Sequence, residues 1–123
     1  MGADLAYIGS AFIATDEANA VQAYKQSVVD NNVDDIVLSN LFTGVSGNYL
    51  KPSIEAAGLD PSNLPTSDAS KMSFGSGGDS ESKAWKDIWG CGQGIGAVKS
   101  VQTTEALVGR LSAEYRAAKS RLG

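Results

Sequence analysis

The feature that most constrains this chain is its opening apolar run, Leu5-Ala6-Tyr7-Ile8, stopped by Gly9-Ser10. A continuous run of that length predicts a strand covered on both faces, as in a parallel sheet, rather than an alternating strand with one wet face. Such a strand needs neighbours on both sides. No second clear βα unit follows to supply one, and the run begins almost at Met1, so the expectation is a truncated chain.

The segments that follow read mainly as helix and turn. Thr15 is expected to cap a helix with Asp16 and Glu17 in its first turn and Val21, Tyr24 and Val28 on one face, running to Asp30. Residues 35–43 read as a short extended segment. Asn48 to Ala57 reads as a helix with Leu50, Ile54 and Ala57 on one side, Pro52 in its first turn and Gly58 as the C-terminal cap. The stretch SFGSGGDSES, residues 73–82, is a Gly/Ser/acid loop with little to bury, expected to be mobile. Residues 83–89 have room for one or two helical turns, on which Trp85 and Trp89 would share a face and serve core packing. The last helix is expected from Thr103 to Leu122. A threonine cap, Glu105 in the first turn, an apolar stripe through Leu107, Val108, Leu111, Tyr115, Ala118 and Leu122, and basic Arg116, Lys119 and Arg121 near the end all agree.

Composition removes several kinds of chemistry. There is no histidine, so no Ser-His-Asp or Cys-His relay and no imidazole metal site can be built within the chain. A single cysteine, Cys91, excludes an internal disulfide and a cysteine-rich metal cage, and its expected role is small space-filling bulk. Ten Lys+Arg against fourteen Asp+Glu leave a net charge of −4, which argues against nucleic acid or an anionic membrane as partner. No apolar stretch is long enough to span a bilayer, and Asp4 stands where a secretory signal would carry a base, so a cytoplasmic location is expected. A core of modest size in one globular unit fits 42% hydrophobic residues.

Glycine is over-represented, with 14 residues, and four of them alternate at Gly90, Gly92, Gly94 and Gly96. That spacing suits neither a helix nor a packed strand face, so it predicts a loop whose backbone approaches something closely. Gly92, Gly94 and Ala97 satisfy a degenerate G-x-G-x-x-A pattern, but no strand directly precedes it and no helix directly follows, so nucleotide binding through this loop alone is disfavoured. Gly9-Ser10, after an apolar run, offers N–H groups and a hydroxyl of the kind that suits a phosphate, although an ordinary strand end is the blander account of two residues. Asp34, Asp35, Asp79 and Glu81 read as solvated charge.

Taken together, GADLAYIGSAFIAT, DDIVLSNLFTGVSGNYLKPSI and AWKDIWGCGQGIGAV followed by an amphipathic helix resemble the C-terminal part of the nitronate monooxygenases, once called 2-nitropropane dioxygenases. The resemblance covers essentially the whole chain. It implies a mostly α chain with one or two short strands, the C-terminal fragment of an FMN-dependent (β/α)8 TIM barrel with its inserted helical substrate domain. Residues 1–14 would be the last barrel strand and phosphate turn, 15–89 the inserted domain, and 90–123 the Gly-rich loop and final barrel helix. The implied cofactor is FMN, held at its phosphate by Gly9 and Ser10, with Gly92, Gln93 and Gly94 as a pocket loop. No catalytic residue and no metal ligand would lie in this chain; the barrel's first seven strands and the histidine found in many members would lie outside it. The partners implied are a small nitronate and O2, with self-association through exposed barrel surfaces. The implied activity is oxidation of alkyl nitronates to a carbonyl compound and nitrite by the complete enzyme, with the isolated chain inactive. The alternatives are a non-catalytic helical interaction module and, last, an independent nucleotide-binding domain.

Overall fold

The computed structural model describes residues 2–66 and 86–123. Lying wholly within these residues are four helices and a two-stranded antiparallel sheet, in the order α1 (Ser10–Ile13), α2 (Gln22–Asp30), β1 (Ile36–Ser39), β2 (Gly47–Leu50), α3 (Lys51–Ala56) and α4 (Thr104–Leu122). Short 3-10 turns cover Val33–Asp35 and Gln93–Ala97. The expected 73–82 loop, Asp79, Glu81 and Trp85 lie outside the described residues, as does the start of the helical turn expected at 83–89.

The sheet sets the register of the middle of the chain. Ile36 pairs with Leu50 and Ser39 with Gly47. The extended segment expected around residues 35–43 is therefore a strand over 36–39, closed on its N-terminal side by a capping box in which Asp34 N–H donates to Asn32 Oδ1 and Asn32 N–H to Asp35 Oδ2, each at 2.9 Å. The helix expected from Asn48 begins instead at Lys51. A helix starting at 48 would put Pro52 where its missing N–H should bond the first carbonyl; starting at Lys51 moves Pro52 into the first turn, where that N–H has no partner to lose. Residues 47–50 are thus left to pair with β1. At the other end Gly58, at φ +83°, closes α3 as expected. Its N–H donates to Glu55 O at 2.9 Å and Leu59 N–H to Ile54 O at 3.1 Å, the Schellman arrangement that needs a left-handed residue at this point.

Two expectations for the N-terminal third are corrected. Leu5–Ile8 forms no strand: no described segment pairs with it, and Leu5 and Tyr7 stand in solvent. The helix expected from Thr15 begins only at Gln22, because Thr15, Asp16 and Glu17 are engaged far along the chain. Asp16 N–H donates to Gln102 O at 2.9 Å and Gln102 N–H to Ala14 O at 3.3 Å, a parallel bridge of Thr15 with Gln102. Glu17 Oε2 accepts from both the N–H of Thr104, at 2.8 Å, and its hydroxyl, at 2.9 Å. Its carboxylate therefore sits at the positive end of α4 rather than of its own helix.

The core lies where these returns converge. Ala14, Val28, Leu50, Ile95 and Val98 form its buried centre, with Tyr24, Ile36, Trp89 and Cys91 packed against it. Trp89 stacks on Tyr24 with ring centroids 5.1 Å apart, and the Tyr24 hydroxyl donates to Gly90 O. Leu50 N–H to Trp89 O and Cys91 N–H to Asn48 O, at 2.9 and 3.2 Å, lay residues 89–91 alongside β2. Lys25 is buried with them, its Nζ donating to Asp16 O at 3.0 Å.

The last helix follows the expected cap: Thr103 Oγ1 accepts from Ala106 N–H at 3.1 Å. Of its apolar stripe only Leu107 is buried, while Val108, Tyr115 and Leu122 are exposed. Its seating thus depends strongly on its first turn. Thr103→Ala should cost about 1 kcal/mol, read as loss of amide-exchange protection in the first turns of α4. Hydrogen bonds to Glu17, foremost from the Thr104 N–H, hold its carboxyl below the ordinary 4.5. Its contribution is therefore present above pH 4.5 and is lost as pH falls through the lower folded value. Urea unfolding in acid should accordingly weaken more steeply for the native chain than for Glu17→Gln.

Candidate functional site

A cleft of about 330 Å3 opens between three segments distant in sequence. Tyr7 to Ala11 form one wall, Gly92, Gly94, Ala97 and Val98 a second, and Arg110, Leu111 and Glu114 of α4 the third. Four of the five expected site residues, Gly9, Ser10, Gly92 and Gly94, line it; Gln93 does not. The volume falls at the lower end of the range for small-molecule sites.

Each wall is held by the fold. Gly9 caps the single turn of α1, whose Phe12 N–H donates back to Gly9 O at 3.0 Å. The first N–H groups of any helical turn lack partners within it, so those of Ser10 and Ala11 are left for other acceptors. The second wall is anchored by Ile95, fully buried at the centre of its 3-10 turn, which seats an otherwise glycine-dominated stretch against the core. One direct link joins the two walls: Gly92 N–H donates to Ser10 Oγ at 2.6 Å. The third wall is set by Leu107, whose burial turns the neighbouring Arg110 and Leu111 toward the other two.

The alternating glycines behave differently from one another. A side-chain carbon built at Gly90 would come within 3.4 Å of Asn48 O and one at Gly92 within 3.4 Å of Ser10 Oγ, whereas one at Gly9 or Gly94 would meet no protein atom within 4 Å. Gly94 therefore leaves open room on the cleft wall that the fold itself does not need. The expectation of a plain loop across 90–96 is replaced by a bridge at Gly90 and a 3-10 turn over 93–97.

The charged groups of the cleft escaped sequence reasoning. Arg110 Nη1 and Glu114 Oε1 are 2.8 Å apart, a partly exposed i,i+4 pair on α4. The usable signal was their position, since Arg110 lies three residues after buried Leu107 and so on the flank of the helix that turns inward.

The family model for nitronate monooxygenase matches residues 1–114. This chain belongs to the nitronate monooxygenase family. No curated protein and no solved structure matches it significantly. Members of the family are oxidoreductases and generally flavin-dependent, so the cleft of this nitronate monooxygenase relative can be tested against a flavin phosphate. The residues fit that group: N–H donors at Ser10 and Ala11, a hydroxyl at Ser10, glycine at both positions where a side chain would project into free space, and one arginine. Among the described residues no group of three or more His, Cys, Asp or Glu is gathered to hold a metal, and no helix is long and apolar enough to cross a membrane.

Cys91 lies half-buried beside Tyr24, on the core side of the glycine stretch. Burial pushes its thiol up from 9.0 to about 11, and burial, aided by the neighbouring thiolate, also raises the Tyr24 phenol. A thiol so placed is a poor nucleophile at neutral pH. At pH 8 it should react with a disulfide reagent roughly a hundredfold more slowly than an unperturbed cysteine, the ratio of the two thiolate fractions. Stopped-flow absorbance on the folded chain reads this directly, with the urea-unfolded chain as reference.

Proposed function

We propose that residues 1–123 are the C-terminal part of an FMN-dependent nitronate monooxygenase that converts alkyl nitronates and O2 to a carbonyl compound and nitrite. The observation that carries this reading is the juxtaposition of Gly9-Ser10 with Gly92 and Gly94 along one cleft in a chain that matches the family over 1–114. In this reading the Ser10 and Ala11 N–H groups and the Ser10 hydroxyl hold the flavin phosphate, and Gly94 leaves space beside it. FMN, when bound, would supply the redox chemistry, accepting electrons from the nitronate and returning them to O2. The remaining phosphate donors and the catalytic base come from parts of the enzyme other than these residues, in a cytoplasmic barrel protein.

A second reading, a non-catalytic interaction module, draws on exposed Leu5, Tyr7, Val108, Tyr115 and Leu122. Analytical ultracentrifugation separates the two. A well-dispersed monomer counts against the module.

The proposed role is tested in a chimaera in which residues 1–123 replace the corresponding portion of a complete family member. The chimaera should purify with bound FMN and oxidise a simple nitronate; a colourless, well-folded chimaera would overturn the reading. Gly9→Val in it should abolish flavin retention. Because a side chain at Gly9 meets no protein atom within 4 Å and φ there is an ordinary −114°, that loss would come from the ligand's space rather than from misfolding. Ser10→Ala should weaken retention less, by about 1.5–3 kcal/mol at most for one hydrogen bond to a charged group.

The isolated chain should show neither tight FMN binding nor turnover. A partial site still meets the full loss of ligand translational and rotational freedom, about 4–15 kcal/mol or more, with few contacts to offset it. Flavin fluorescence titration and an oxygen electrode check the two halves.

A further inference from the structure

We propose that Arg110 is an anion-binding residue of the cleft, taking the same phosphate monoester that faces Gly9 and Ser10, with Glu114 as the group that restrains it. The proposal rests on the reading of that turn as a phosphate site and adds to it a side chain from a different element, α4.

Three observations carry it. First, Arg110 is, among the described residues, the one cation that lines the cleft, which it shares with Gly9, Ser10 and Gly94. Lys25, Lys51 and Lys99 each donate to a backbone carbonyl, those of Asp16, Asp34 and Gly96. Second, the link from Arg110 to Glu114 uses Nη1 alone, at 2.8 Å. A guanidinium carries five N–H donors in a planar fork that matches two oxygens of a phosphate, so most of its donor capacity remains available to a second acceptor. Third, the pair is solvent-exposed and spaced i,i+4, the geometry in which ion pairs contribute least and exchange partners most readily. A dianion entering a cleft whose only other charge, among the described residues, is the Glu114 carboxylate would take Arg110 from Glu114 at small cost, and a charge-assisted bond to phosphate is the stronger of the two.

Glu114 then has a definite effect. Its carboxylate lies within contact of the arginine and faces the same cleft, so it competes with any bound anion and repels it. Removing that charge should tighten anion binding, whereas removing Arg110 should weaken it.

The test uses the full 123-residue chain, labelled with 15N, at low ionic strength, with inorganic phosphate, FMN and riboflavin as separate probes. Phosphate at millimolar concentration should shift the Ser10, Ala11 and Gly94 amides together with the Arg110 Nε–H. FMN should do the same and riboflavin, lacking the phosphate, should not. Arg110→Gln should weaken phosphate binding about tenfold, Arg110→Lys should restore only part of it, and Glu114→Gln should strengthen it about twofold. Helix content by circular dichroism should be unchanged in all three, since the positions are on the open side of α4. Equal phosphate affinity in the native chain and Arg110→Gln would overturn the proposal while leaving the Gly9-Ser10 reading in place, provided Gly9→Val still abolishes the amide shifts. Binding lost in Arg110→Gln but kept in Gly9→Val would put the anion on the arginine without the turn and so overturn the proposal that the two share one phosphate. Absence of any phosphate response in the native chain would overturn the arginine proposal, and flavin retention in the chimaera would still decide the reading beneath it. Equal responses to riboflavin and FMN would also overturn it.

Discussion

Ile95 holds together a part of the chain that has almost nothing else to hold it. Its surroundings in sequence, Gly92, Gln93, Gly94, Gly96 and Ala97, bring little apolar surface, and glycines lose more backbone freedom on ordering than any other residue. A buried isoleucine returns about 1.5–3 kcal/mol by removal from water, and here it is fully buried against Ala14, Val28, Leu50 and Val98. The backbone links at Gly90 and Cys91 and the Tyr24–Trp89 stack fix the approach to this anchor. With Ile95 seated, the glycine wall has a fixed distance from Gly9 and Ser10; without it, the cleft would have one wall fewer.

The N-terminal segment is tied in the same indirect way. Thr15 to Glu17 carry little burial of their own, apart from Thr15, yet they connect α1 to the start of α4 through the bridge to Gln102 and the carboxylate of Glu17. Apart from the Ser10–Gly92 link within it, the three walls of the cleft are thus positioned by contacts lying just outside it. This leaves the first N–H donors of α1 uncommitted to the fold, which is the usual condition of groups that serve a ligand.

What could be read from the residues alone divides along the range of the interactions. The α4 helix was legible because its cap, acidic first turn and basic end are all local, and Gly58 because a left-handed cap is a local need. The start of α2 was misread because Thr15, Asp16 and Glu17 form a good local capping pattern that the fold uses 87 residues away. Leu5–Ile8 has the composition of a buried strand, but composition does not provide a neighbour, and none of the described segments pairs with it. Of the cleft, Gly9, Ser10, Gly92 and Gly94 stood out through their backbone chemistry and the family resemblance. Arg110 and Glu114 carry no motif; on a helix they look like an ordinary exposed pair, and only the juxtaposition of α4 with two remote loops distinguishes them.

The one-ended attachment of α4 makes it a lever. Nineteen residues give a rod roughly 28 Å long, seated at its base by Thr103, Glu17 and Leu107 and exposed at its tip. A tilt of about 10° about that base would carry Leu122 through roughly 5 Å but Arg110, six residues along, through less than about 2 Å. A body pressing on the far end of the rod could therefore swing it widely, and the cleft would register only a small fraction of that travel.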